Sequence, residues 1–180
     1  MSRTAPYAET AMLEALAADG PFPEYADKLM LFGRLVGTWD IEGRFFDRDG
    51  NVTKERRGEW IFGWVLEGRA IQDVLITPPR AEREPGQASY EYGTTIRAYN
   101  PKIDGWRVTY VAPVYGGTVN LIARQRGEEI WLEGRAPNND LYRWTFSEIT
   151  EEYFRWQGFD SDDEGRTWFR GEEIVARRRA

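Results

Sequence analysis

The chain has 180 residues, with 30 acidic against 24 basic side chains and a net charge of −6, so it is one domain's worth of acidic protein lacking the basic balance expected of a nucleic-acid binder. Hydrophobic residues make up 41% and charged residues 30%, which predicts a folded chain, and no apolar run approaches the roughly 18 residues that span a bilayer. With no cysteine and no histidine, the sequence cannot build disulfides, Ser-His-Asp or Cys-His devices, a tetrahedral N/S zinc site or a histidine-ligated haem.

These exclusions lead to the expectation of a cytoplasmic protein with no metal, no cofactor, no nucleic acid and no membrane among its partners. Met1 to Thr10 carries Arg3 with no apolar stretch behind it, so no secretory signal is expected. Residues 8–19 are alanine-rich and predict a helix stopped by Gly20-Pro21. Pro23 suits the start of a second helix over about 24–34, where Tyr25, Leu29, Phe32 and Val36 form one apolar stripe. That stripe predicts a helical cap, residues 1–35, closing one mouth of a single structural domain over 36–180.

From Val36 the period switches to two. Strands are predicted at about 37–46, 55–67, 69–77, 89–99, 106–112, 117–125, 128–135, 141–148, 152–159 and 167–177. Between them lie turn-forming segments such as Asp47-Arg48-Asp49-Gly50, Asn100-Pro101 through Gly105, and Arg126-Gly127-Glu128. Short connections without helices predict an all-β, antiparallel up-and-down barrel of about ten strands. The long connection Pro78 to Ala88 reads as a mobile loop at a barrel mouth. Asp160, Asp162, Asp163 and Glu164 could suggest a calcium loop, but their spacing fits a hairpin turn in which serine and aspartate bond local backbone. Arg177, Arg178 and Arg179 read as a solvated basic tail.

Alternation also assigns faces. Trp39, Ile41 and Phe45 share one face of the first strand; Trp60, Phe62, Trp64 and Leu66 share the inward face of the second. Tyr142, Trp144 and Phe146 oppose Arg143, and Phe154 and Trp156 oppose Arg155, so much of the interior is aromatic. Trp60, Trp64, Trp144 and Trp156 can wall an aromatic pocket or simply fill the barrel. In Ala70-Ile71-Gln72-Asp73-Val74, either Gln72 or Asp73 must face inward. An interior Asp73 could act as general acid or base; an outward one is merely solvated. Arg97 and Tyr99 share one face of the fourth strand, and Tyr92 lies on the other. An interior Arg97 needs a partner, with Asp73 or Glu133 the obvious carboxylates. Tyr110 and Asn120 are candidate polar contacts for a ligand, or satisfied core groups.

Several ordered segments resemble a family of bacterial lipocalin-like, calycin-type barrels grouped as a domain of unknown function. They are Val36-Gly37-Thr38-Trp39, the run Leu66 to Val74, the run Tyr92 to Pro101, Trp106-Arg107-Val108-Thr109, Arg143-Trp144-Thr145-Phe146, and Ser161 to Trp168. The resemblance implies a barrel with a buried cavity, a glycine beside a tryptophan that plugs one end, and an arginine over that tryptophan, from Arg97 or from near the last strand. It implies no particular chemistry.

The leading functional expectation is binding of a small, largely apolar or aromatic molecule in the cavity. Trp60, Trp64, Tyr92, Tyr99, Asn120, Tyr142, Trp144 and Trp156 are the candidate ligand contacts. The first alternative is a cofactor-free lyase, isomerase or cyclase using Asp73 or Glu133 as base with Tyr110 or Arg97 stabilising negative charge. The second is an interaction module working through an outer barrel face, with homodimerisation as one form of it.

Overall fold

A computed structural model describes residues 6–84, 86, 91–136 and 138–179. Ten strands follow one another in a meander: β1 (Gly37–Phe46), β2 (Val52–Val65), β3 (Ala70–Thr77), β4 (Glu91–Asn100), β5 (Gly105–Ala112), β6 (Gly117–Arg126), β7 (Glu129–Arg135), β8 (Leu141–Ser147), β9 (Tyr153–Ser161) and β10 (Phe169–Arg178). Each pairs antiparallel with the next, and β10 returns to pair with β1, with Ala176 opposite Ile41. The sheet is therefore a closed ten-stranded up-and-down barrel of lipocalin-like shape. Residues 89 and 90, predicted as the start of the fourth strand, and Pro85 of the long connection lie outside the described residues.

The helical cap departs from expectation at its first element. Helix α1 (Pro6–Leu16) ends before the alanine run does, and Ala17–Ala18 become a two-residue strand facing Val65 and Trp64 of β2. β2 outlasts its partner, because β1 begins opposite Phe62 and leaves Trp64 and Val65 with free backbone groups. Satisfying that edge overrides alanine's helix preference. Pro23–Tyr25 form one 3-10 turn, and α2 (Ala26–Gly33) follows. Among the described residues no helix is long and apolar enough to cross a membrane.

α2 lays Leu29 and Phe32, followed by Leu35, into the barrel mouth where β1 begins, and all three are buried. Each such burial contributes about 1.5–3 kcal/mol. Phe32 meets Trp106 and Phe146 edge-on at 5.0 and 6.0 Å. Trp39 is fully buried, donates its indole N–H to the Leu35 carbonyl at 2.8 Å and stands edge-on to Phe154 at 4.7 Å. This end is packed shut.

The basic tail is not a solvated end. Arg178, on the inward phase of β10, stacks its guanidinium 4.1 Å from the Trp39 ring centroid. Its Nη1 and Nη2 donate to the Val36 and Arg34 carbonyls at 2.8 and 3.2 Å, and its Nε donates to the Glu151 carbonyl. Arg179 instead pairs with Asp40 and reaches Glu59 at 3.4 Å. Glu59 is buried, and its bonds to the Arg80 side chain and backbone hold its carboxyl down at about 2. One carboxylate thus ties the chain end to the base of the long connection. The Ser161–Trp168 segment is a turn: Asp163 accepts from Ser161 and twice from Thr167, and Gly165 takes a left-handed φ of 82°. Among the described residues no cluster of three or more acidic side chains is placed to hold a metal.

Gly37 has φ 139°, and a Cβ there would collide with Arg178 Nη1. Gly37→Ala should therefore cost about 1–3 kcal/mol for the conformation alone, with more added as Arg178 is displaced. Urea denaturation checks this; a loss under about 0.5 kcal/mol, the range of neutral surface changes, would mean the arginine plug does not depend on this glycine.

Candidate functional site

The half of the barrel away from α2 has a different interior. The inward phase of β2 continues past Trp60 to Arg56, that of β4 carries Glu91, Thr95 and Arg97, and that of β10 carries Glu172 and Ile174. Tyr110 of β5, Trp144 of β8 and Trp156 of β9 complete the wall. Together they enclose a cavity of about 80 Å³.

At its floor lies a charge pair. Asp73 faces inward while Gln72 turns out to bond Thr94 at 2.9 Å. The Asp73 and Arg97 side chains are 0% and 1% exposed, and Arg97 Nη1 donates to Asp73 Oδ2. The guanidinium sits 5.2, 5.3 and 5.8 Å from the ring centroids of Phe32, Phe62 and Phe146. Among the described residues, Asp73 Oδ1 and Arg97 Nε have no hydrogen-bond partner. The pair is matched in charge and incompletely bonded.

Above it, Arg56 serves two carboxylates. Its Nη1 donates to Glu91 Oε2 and its Nη2 to Glu172 Oε1, and the Tyr110 hydroxyl donates to Glu91 Oε1. Two acids share one base, so full ionisation would leave one uncompensated negative charge in a desolvated space. Burial raises the Glu172 carboxyl to about 7; the Arg56 charge opposes that rise and the neighbouring Glu91 carboxylate adds to it. Burial, followed by the Glu91 charge, also pushes the Tyr110 phenol well up, so it remains a donor. Trp156 bridges Trp60 and Trp144 with edge-on contacts at 6.3 and 5.6 Å. The indole N–H of Trp60 and the Nε of Arg56 are buried without a partner among the described residues.

Asp73, Arg97, Tyr110, Trp60, Trp144 and Trp156 are thus brought together. The other residues singled out from the sequence lie elsewhere. Asn120 is exposed on the outer face and accepts from Thr109 at 2.9 Å, because Leu121 and Ala123 hold the inner positions of β6. Glu133 is likewise outside, bonded to Arg143 at 2.9 Å, since Ile130 and Leu132 point in. Tyr92 is 40% exposed beneath the Arg83 guanidinium. Tyr99 bonds Asp104 at 2.8 Å beside α2, Trp64 packs under Gly33, and Tyr142 stands half-buried opposite Asp160 near the rim. Arg56, Glu91 and Glu172 were not singled out. The signal was present: each continues the two-residue period of an inward series already visible in its strand.

No protein-family model matches the sequence, and no curated protein matches it. Among solved structures, the chain is similar to the S-type phycobiliprotein lyase CPES from Guillardia theta, with a TM-score of 0.56 and 9% identity over 84% of this chain and 92% of that one. It also matches EF1p2_mFAP2b bound to DFHBI, with a TM-score of 0.40 and 12% identity over 81% and 94% of the two chains. A redesigned β-barrel, mFAP0, bound to DFHBI gives a TM-score of 0.39 and 13% identity over 79% and 95%. The first likeness establishes a shared barrel fold.

Removing one member of the Asp73–Arg97 pair strands the other charge. Asp73→Leu or Arg97→Met alone should cost about 3–5 kcal/mol, and the double variant should recover most of that loss. Urea titrations of the three variants check it. Additive losses in the double variant would contradict a mutually compensating pair.

Proposed function

We propose that this barrel binds a small, largely apolar molecule carrying a hydrogen-bond acceptor, in the pocket walled by Trp60, Trp144 and Trp156. One observation carries the reading. Three buried N–H groups, Trp60 Nε1, Arg56 Nε and Arg97 Nε, belong to residues lining the same cavity and have no partner among the described residues. An unmet buried donor costs about 1–3 kcal/mol. A guest offering an acceptor oxygen would relieve that cost, while indole faces cover its carbon skeleton.

Size narrows the guest. The cavity measures about 80 Å³, whereas an engineered apolar cavity that takes benzene is about 150 Å³. A guest of one small ring fits if Tyr110 or Trp144 gives slightly; a fatty acid or other long chain does not. The aromatic walls support the apolar part of the expectation, and the charged rim adds the polar requirement. The fold shared with a phycobiliprotein lyase does not carry that protein's substrate to this chain.

Cyclopentanone and methylenecyclopentane have nearly the same shape, and only the ketone has an acceptor oxygen. Cyclopentanone should quench tryptophan fluorescence saturably and bind at least about tenfold more tightly than methylenecyclopentane, a difference of about 1.4 kcal/mol. Thr95→Leu, which pushes carbon into the cavity, should abolish the quenching. Equal binding of the two probes, or unchanged quenching in Thr95→Leu, would overturn the reading.

A further inference from the structure

We propose that the pocket also does chemistry: Glu172 takes a proton from the carbon beside the guest's carbonyl and returns it, enolising a small carbonyl compound or shifting its double bond. The inference rests on the binding reading above and extends it to a reaction.

Three carboxylates stand in or under the pocket, and their bonding separates their roles. Both oxygens of Glu91 are occupied, Oε1 by Tyr110 and Oε2 by Arg56. Asp73 is 0% exposed and held by Arg97, so it has no route for exchanging a proton with water. Glu172 differs from both. Arg56 holds Oε1, Oε2 makes no hydrogen bond among the described residues, and the side chain is 19% exposed. It is the one carboxyl of the three with a fixed orientation, an open oxygen and contact with solvent.

The unpartnered donors supply the other half of the reaction. When Glu172 Oε2 takes the proton, the C–H electron pair becomes the new C=C bond, and the C=O π pair moves onto oxygen. That oxygen then carries negative charge, which an unpartnered N–H of Trp60, Arg56 or Arg97, all residues that line the cavity, would stabilise. Donors fixed in a desolvated site favour the enolate more than the neutral ketone. Protonated Glu172 then returns the proton. Return to the same carbon gives exchange; return to the far carbon of a β,γ-unsaturated ketone gives the conjugated isomer. No electrons leave the substrate, and no co-reactant is consumed. With its carboxyl near 7 through burial, Glu172 is close to half-ionised at neutral pH, which suits a group that must both accept and donate.

Incubation of cyclopentanone with the protein in D₂O, followed by proton NMR, reads out deuteration beside the carbonyl, while tryptophan quenching reads out binding separately. Wild type should catalyse saturable exchange above the buffer rate. Glu172→Gln should still be quenched by cyclopentanone but lose exchange by about 100-fold or more. Glu172→Asp, which keeps the charge and pulls it back, should exchange at least about tenfold more slowly. Quenching without exchange in wild type overturns this inference alone, as does exchange that persists in Glu172→Gln or at full rate in Glu172→Asp. Absence of quenching in wild type overturns the binding reading and this inference with it.

Discussion

A guanidinium turned into a barrel must find a carboxylate or other hydrogen-bond acceptors there, because it is largely withdrawn from water. Among the described residues three arginines, Arg56, Arg97 and Arg178, point inward, and they are accommodated in three ways. Arg178 is solvated by three backbone carbonyls and the Trp39 ring, so it acts as a stopper. Arg97 has one carboxylate, Asp73, and three phenylalanine rings around it. Arg56 has two carboxylates and is outnumbered by them. The first arrangement closes an end, the second fills the centre, and the third leaves a negative charge that protonation of one carboxylate removes.

This sequence of solutions divides the barrel along its axis. Next to α2 the interior is filled by the buried rings of Phe32, Trp106, Phe146 and Trp39. Past Arg97 the same inward positions carry Arg56, Glu91 and Glu172. Polar side chains of unequal reach cannot interdigitate as densely as rings do, and a small cavity remains among them. Buried polar atoms left unpaired cost stability, and stability surrendered in one half can be supplied by the solid aromatic plug of the other.

Much of the architecture was legible in the sequence because strands announce themselves by a period of two and hairpins by their turns. The Gly37-x-Trp39 opening marked the closed end, and Arg178 completes it. What misled was phase. Three consecutive arginines look like a tail, yet alternation sends Arg178 inward and Arg177 and Arg179 outward. Asn120, Tyr92 and Glu133 are plausible pocket residues by type, but Leu121, Thr95 and Leu132 beside or near them claim the inner positions. Conversely, Arg56, Glu91 and Glu172 look like ordinary strand-end charges until the inward series of Trp60, Arg97 and Ile174 is extended by four, six and two residues respectively. A charged side chain near a strand end carries no local mark of facing inward, and three residues of the candidate site are of this kind. The alanine-rich α1 shows a different limit: no local pattern reveals that Ala17 and Ala18 will be taken by an open backbone edge on β2.

The central claim is that two carboxylates share Arg56 in a desolvated pocket, so one of them gives up its charge near neutrality. A carbon-13 NMR titration of glutamate labelled at the side-chain carboxyl, with the resonance of Glu172 assigned by its loss in Glu172→Gln, tests this most directly. The account predicts that this resonance titrates at about 7. A midpoint below about 5, in the ordinary glutamate range, would show that Arg56 and solvent compensate both acids, and would contradict the account.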